Sequence, residues 1–263
     1  MIVALTNSKG GVGKSTLAVH LAAWWKESGA NVALVDADVQ GSSSLWLKET
    51  GTEIPVFRLQ SADEVLDRVP EISRTFQHIV VDGPAGLSEV TRAILLVADL
   101  ALLPCGPSVL DLRAANDAIR VVKQAQAIRS GRPDAVLIPN KLQAHYRLSR
   151  ELLETTRNMA VASTTGLRLR QAYAEAAGQG TVVWRLGPRG EMATSEIREL
   201  WNGLFRTDTE NDGRSIADGG AQPGGTDLCE RGDQQPEGGH GSSSEQGNSA
   251  TQTKESVGDS PLA

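Results

Sequence analysis

The passage that most narrows what this 263-residue chain can fold into lies at its start. An apolar run, Ile2-Val3-Ala4-Leu5, leads through Lys9-Gly10-Gly11-Val12-Gly13-Lys14-Ser15-Thr16 into a helical pattern with Leu17, Leu21 and Trp24 on one face. A strand, a glycine-rich turn and a helix opening on Lys-Ser-Thr form the context of a phosphate-binding P-loop. The glycines let successive backbone N–H groups turn inward around a polyphosphate, which also meets the positive end of the helix. Lys14 then reaches the β- and γ-phosphates, and the Ser15 hydroxyl is placed to ligate Mg²⁺. The expected nucleotide contacts are Lys9, Gly10, Gly11, Val12, Gly13, Lys14, Ser15 and Thr16.

Two more apolar runs end in carboxylates. Val32-Ala33-Leu34-Val35 runs into Asp36-Ala37-Asp38-Val39-Gln40-Gly41-Ser42, and His78-Ile79-Val80-Val81 runs into Asp82-Gly83-Pro84-Ala85-Gly86. Open α/β sheets bind ligands at the C-terminal ends of their strands, where these carboxylates fall. Asp36 and Asp38 also suit a plainer role, capping a helix that begins near Ser42. Asp82 reads as a Walker B residue holding a magnesium water, followed by a turn at Gly83-Pro84 that would sense the γ-phosphate. Further strands are expected at Leu100–Pro104 and Ala135–Lys141, and helices at Val90–Val97 and Leu112–Arg129. This alternation predicts an α/β fold, a doubly wound and mainly parallel sheet of the P-loop NTPase type. Trp24, Trp25, Trp184 and Trp201 are expected as core or interface aromatics, and His78 as an ordinary strand-edge residue.

In the standard P-loop spacing the first glycine would stand at Ser8; the text here is instead K-G-G-x-G-K-S-T, with the extra Lys9 ahead of the glycines. It resembles the deviant Walker A motif of the ParA/MinD family of ATPases. The resemblance implies that Lys9 crosses the interface of an ATP-dependent homodimer to the phosphates held by the other subunit. The role is like that of an arginine finger. It further implies catalytic roles for Lys9, Lys14 and Asp38, with Asp38 orienting or activating the attacking water. Ser15, Asp36 and Asp82 would form the metal site, and Asn140 would contact the adenine. As a plain reading, Asn140 is a cap or turn residue. The family's D-x-D-P-Q-G text is matched except that Val39 replaces the proline. Pro104-Cys105-Gly106-Pro107-Ser108 with Leu110-Asp111 resembles the P-x-x-P-S-x-x-D segment of short plasmid-partition members.

Those members imply a function. An ATP-bound sandwich dimer binds DNA without sequence preference, and a centromere-binding (ParB-type) adaptor stimulates hydrolysis and releases it. The implied location is cytoplasmic, on the nucleoid when ATP is bound. Only nine residues run up to and including Lys9, so the extra N-terminal DNA-binding domain of larger relatives is not expected. DNA binding of this kind needs cations facing phosphates. Residues 141–206 hold ten Lys/Arg against six Glu, including Arg147, Arg150, Arg157, Arg168 and Arg170. Arg150 and Arg157 would share a helix face; arginine-rich helices also occur as merely solvated faces.

After about residue 206 the composition changes to Gly, Ser, Gln and acidic residues, with eleven Asp/Glu against three Arg/Lys. Such a segment buries too little apolar surface to offset its ordering entropy, so residues 207–263 are expected to be a disordered acidic tail. It would either compete with DNA for the basic surface or serve only as a solubilising tail. The whole-chain charge of −6 is set by this tail. The two cysteines, Cys105 and Cys229, suggest no disulfide framework. Two rival functions remain: a MinD-like positioning ATPase acting on a membrane or a protein partner, and an amide-forming ligase on the same fold. The first would want a basic amphipathic C-terminal helix, whereas this C-terminus is acidic, so no membrane partner is expected.

Overall fold

The computed structural model describes residues 1–205; the acidic tail, with Cys229, lies outside the described residues. The chain alternates strand and helix from its first residues: β1 (Ile2–Asn7), α1 (Lys14–Glu27), β2 (Val32–Asp36), α2 (Ser42–Glu49), β3 (Val56–Arg58), α3 (Ala62–Ser73) and β4 (His78–Ala85). It continues through α4 (Glu89–Val97), β5 (Leu100–Cys105), α5 (Val109–Ile128), β6 (Asp134–Pro139), α6 (Arg147–Arg157) and β7 (Ala162–Ser163). The described part closes with α7 (Gln171–Gly178), two short 3₁₀ turns and α8 (Glu191–Phe205). The seven strands form one sheet in the order β3-β2-β4-β1-β5-β6-β7, and every pairing is parallel.

The strands are near-continuous apolar runs because helices cover both faces of the sheet. Val3 and Leu5 of β1 point into one layer with Leu34, Val80 and Leu102, under α1, α7 and α8. Ile2 and Ala4 point the other way, with Val35, Ile79 and Val81, against α3 and α4. A third cluster, built on Leu103, Leu137, Ala118 and Val122, packs α5 onto the far half of the sheet. Helix α1 is buried on nearly every side, and of its tandem tryptophans Trp25 is the more deeply packed while Trp24 is half-buried. His78 does not lie on an edge strand: it opens the interior strand β4 and stacks on Trp25, ring centroids 4.3 Å apart.

The expected turn at Gly83-Pro84 is absent. β4 runs on through both residues to Ala85, which pairs with Asn7, and the chain turns at Gly86. Gly83 is needed there for closeness: a Cβ would stand 2.8 Å from the Leu5 carbonyl oxygen.

One polar side chain is wholly buried behind the P-loop helix. His20 places Nδ1 2.7 Å from the Thr16 carbonyl, and its Nε2 accepts from the Val183 N–H at 3.2 Å. Since the amide must donate, Nε2 is the acceptor and the proton sits on Nδ1. Three aromatic rings, Trp46, Tyr173 and Trp184, meet this imidazole edge-on at 5.4–5.5 Å. The box thereby joins α1, α2, α7 and the first 3₁₀ turn. Burial pushes the His20 pKa down to about 4, the bond to Thr16 opposing it only in part. A histidine whose folded pKa is depressed gives stability that is present above its ordinary 6.5 and is lost as pH falls toward 4. The gap in unfolding free energy between wild type and His20→Gln is therefore expected to narrow by about 2 kcal/mol from pH 7 to pH 5. Urea unfolding of both proteins at the two pH values measures it; a gap independent of pH would refute a neutral, buried His20.

Candidate functional site

Because the sheet is covered on both faces, its polar groups emerge only at the C-terminal ends of the strands, and the sequence-expected residues gather there. Between β1 and α1, Gly11 and Gly13 take left-handed backbone with φ 73° and 104°, and Gly13 is the N-cap of α1. Asn7, not singled out from the sequence, fixes the loop's entry. Its Nδ2 donates to the Pro104 carbonyl at 2.7 Å and its Oδ1 accepts from the Lys9 N–H at 3.0 Å. The readable signal was a polar residue ending an apolar strand. Lys14 is buried; burial lowers its pKa, while the charges of Asp82 and Asp38 pull it back up. Its Nζ lies 3.3 Å from the Lys9 carbonyl.

Asp36 and Asp82 lie side by side in register on adjacent strands, both fully buried, yet they are used differently. Asp36 Oδ2 accepts from the Ser44 N–H at 2.9 Å and from the Ser44 hydroxyl at 2.5 Å, while Oδ1 accepts from the Asp38 N–H at 3.1 Å. The plainer of its two sequence readings, a cap for α2, is what these bonds describe. Neither Asp82 oxygen has a hydrogen bond of good geometry, although the Ser15 and Ser43 hydroxyls lie near enough to favour its charged form. Burial raises the Asp82 pKa to about 7, the Ser15 and Ser43 hydroxyls countering it and the Asp36 charge adding to it. A buried carboxylate with open lone pairs beside a P-loop serine fits a divalent cation, which would supply the missing partner. Ser43, missed from the sequence, belongs to the same cluster.

Asp38 is half-exposed at the mouth, its Oδ1 accepting from the Gln40 N–H at 3.0 Å. The next residue is Val39, standing where proline was expected, and it is 70% exposed. Without a proline ring to stiffen it, the segment is fastened from β3, where Arg58 donates to the Val39 carbonyl at 3.0 Å. Lys9 is 40% exposed and its Nζ lies 2.6 Å from Asp111 Oδ1. Asp111 sits in the first turn of α5, its other oxygen accepting from the Ser108 hydroxyl at 2.5 Å. The Pro104–Asp111 segment thus holds the extra lysine against the chain's own body.

Two expected contacts are already engaged within the protein. Asn140 lies beside the P-loop, but its amide engages the loop itself, donating to the Val12 carbonyl at 2.8 Å, and its Oδ1 accepts from the Lys141 N–H at 2.9 Å. These bonds use one of the amide's two N–H donors and one of the two lone pairs on Oδ1. Gly13 permits the approach, since a Cβ there would collide with Asn140 Nδ2. Asn140 and Lys141 also line a cleft of about 230 Å³ whose apolar wall, Leu17, Leu167, Leu169 and Tyr173, suits a flat base. Arg170 is drawn inward to Glu196 at 2.6 Å with 24% of its side chain exposed, so it is not free to face a polyanion. Arg147 is paired with Glu151 at 2.5 Å, and Arg168 stands 3.8 Å from Glu196. Arg150 and Arg157 are exposed on α6. Among the described residues no helix is long and apolar enough to cross a membrane. Cys105 is buried, and burial pushes its thiol up to about 12.

Residues 3–183 match the family described as the CobQ/CobB/MinD/ParA nucleotide binding domain. The protein "Maintenance of carboxysome distribution protein A" of Halothiobacillus neapolitanus is 31% identical over 207 residues, covering 76% of this chain and 94% of its own length. Its namesake from Gloeobacter kilaueensis is 34% identical over 211 residues, with 78% and 94% covered. Among solved structures, the ATP complex of McdA from Cyanothece superposes with a TM-score of 0.64 at 18% identity, over 75% of this chain and 95% of that one.

The orphaned Asp82 has a measurable consequence. Removing its charge relieves an unpaired buried carboxylate, so Asp82→Asn is expected to raise the apo-protein's unfolding free energy by roughly 1–3 kcal/mol at pH 8. The same variant is expected to lose the extra thermal stabilisation that Mg²⁺ adds to bound nucleotide. Melting curves with and without Mg²⁺-nucleotide test both; a destabilised apo variant would mean that Asp82 is already satisfied.

Proposed function

The chain belongs to the CobQ/CobB/MinD/ParA nucleotide-binding family, and from that premise we propose that it is a ParA-type positioning ATPase, whose ATP-bound homodimer holds DNA without sequence preference until a partner stimulates hydrolysis. The observation that carries this reading is Lys9: a half-exposed second lysine at the mouth of the P-loop, held by one ion pair that it can exchange for a phosphate.

In this reading the loop N–H groups from Gly10 to Ser15 and the Lys14 ammonium bind the β- and γ-phosphates of ATP. Ser15 and Asp82 hold Mg²⁺, which supplies positive charge to the phosphate oxygens. Asp38 orients the attacking water in line with the bond to be broken. Lys9 leaves Asp111 for the nucleotide of the second copy and neutralises the charge that develops there, yielding ADP and phosphate. The base occupies the cleft beside Tyr173. Arg150 and Arg157 on α6 supply phosphate contacts to DNA, and the paired Arg147, Arg168 and Arg170 shape that surface rather than lead it.

The cargo divides into two readings. The resemblance to short partition proteins favours a plasmid carried through a centromere-binding, ParB-type adaptor. The relatives above 30% identity are named for carboxysome distribution, which favours an adaptor seated on a protein body. Both use the same ATP-dependent hold on DNA.

Retention of DNA by the purified protein with ADP, with ATP, and with ATP for Lys9→Ala tests the common step. Binding is expected only with ATP, to fall steeply as salt rises, and to vanish in the Lys9 variant. Arg150→Ala with Arg157→Ala is expected to lower the slope of log affinity against log salt by about 2 while leaving basal ATP turnover unchanged. Binding that ignores nucleotide and salt would sink the reading; a ligated product formed alongside ADP and phosphate would point to the ligase alternative.

A further inference from the structure

The residues that close β6 act on the phosphate loop in a way that base recognition does not require. A peptide unit is planar and trans, so a carbonyl that points out of a loop sends the next N–H inward. Asn140 Nδ2 holds the Val12 carbonyl outward at 2.8 Å, which turns the Gly13 N–H toward the loop's interior. Lys141 Nζ holds the preceding carbonyl, that of Gly11, at 2.6 Å, which does the same for the Val12 N–H. Two consecutive carbonyls are pinned by two consecutive residues of another strand's end.

The pair is itself fixed. The Asn140 N–H donates to the Cys105 carbonyl at 2.7 Å, and Asn140 Oδ1 accepts from the Lys141 N–H at 2.9 Å. Lys141 has φ 58°, a left-handed backbone that residues with a side chain rarely adopt. Among the described residues Ser130 is the one other non-glycine case, in the turn before β6. Such strain persists where the surroundings over-determine it, and here it aims an exposed lysine back across the cleft onto the loop.

We propose that Asn140 and Lys141 are positioning residues, a clamp that keeps the phosphate loop open for a polyphosphate before any nucleotide arrives. The clamp sets affinity for the phosphate chain and leaves the choice of base to the other walls of the cleft that the pair helps to line. This rests on the nucleotide-binding part of the proposed function and on none of its DNA or partner steps.

Calorimetric titration of the full chain with ADP and with inorganic tripolyphosphate, and competition of GTP against ATP, separates the possibilities. Lys141→Met is expected to weaken ADP and tripolyphosphate by the same factor, roughly five- to twentyfold, as loss of a charge-assisted hydrogen bond would. The ratio of ATP to GTP affinity is expected to stay unchanged, and Lys141→Arg to restore most of the binding. Lys141→Gly relaxes the left-handed backbone, so its nucleotide-free melting temperature is expected to hold or rise while tripolyphosphate binding still falls. That divergence excludes simple misfolding. Weaker ADP with unaltered tripolyphosphate, or a changed ATP:GTP ratio, would overturn the clamp and return the pair to base reading. Wild-type protein that binds neither probe would overturn the clamp together with nucleotide binding. Wild-type protein that binds both yet never retains DNA would count against the positioning reading alone and leave the clamp comparison intact.

Discussion

Every feature of the site depends on burying a parallel sheet on both faces. A strand so covered has no room for polar side chains along its length, and the groups that must meet water or ligand are displaced to its C-terminal end. Asn7, Asp36 and Asn140 each close or directly follow an apolar strand, Asp82 follows the apolar part of β4, and all are buried. Because β1 lies between β4 and β5, these ends converge on one loop. The chemistry is assembled by strand order, with residues more than a hundred positions apart meeting across a few ångströms.

The loop itself is held from outside. Isolated glycine-rich turns have many conformations, and glycine loses more entropy than any other residue when one is selected. Asn7 from below, Asn140 and Lys141 from the side and the start of α1 from above select it here. Apart from the Lys9 N–H, which Asn7 takes, these side chains bond to loop carbonyls and leave the loop's other N–H groups for an anion.

Charge is distributed so that one group near the loop is left wanting and another is only loosely satisfied. Asp82 is buried with open lone pairs, which a cation completes. Lys9 has a partner, but a half-exposed one-to-one ion pair is worth about 1 kcal/mol or less and is readily exchanged for a polyphosphate. Asp36 and Arg170, by contrast, are closed off by Ser44 and Glu196. Carboxylates and arginines of equal promise in the sequence are separated by whether their bonds are already spent.

The sequence alone determined the strand–loop–helix unit, the parallel α/β class and the two apolar runs that lead into Asp36, Asp38 and Asp82, because periodicity and glycine spacing are local properties. It also marked Lys9 as unusual. It did not reveal that β4 continues through Gly83-Pro84 with a shift of register against β1, since only the neighbouring Leu5 carbonyl makes that path tight enough to demand glycine. Nor did it show that the Asp36 oxygens are taken by Ser44 and Asp38 while those of Asp82 have no well-formed bond, or that Asn140 and Lys141 both reach the loop. Those outcomes were decided by the tertiary structure, because a side chain's role is fixed by which distant partner takes its hydrogen bonds, and no local pattern encodes that partner.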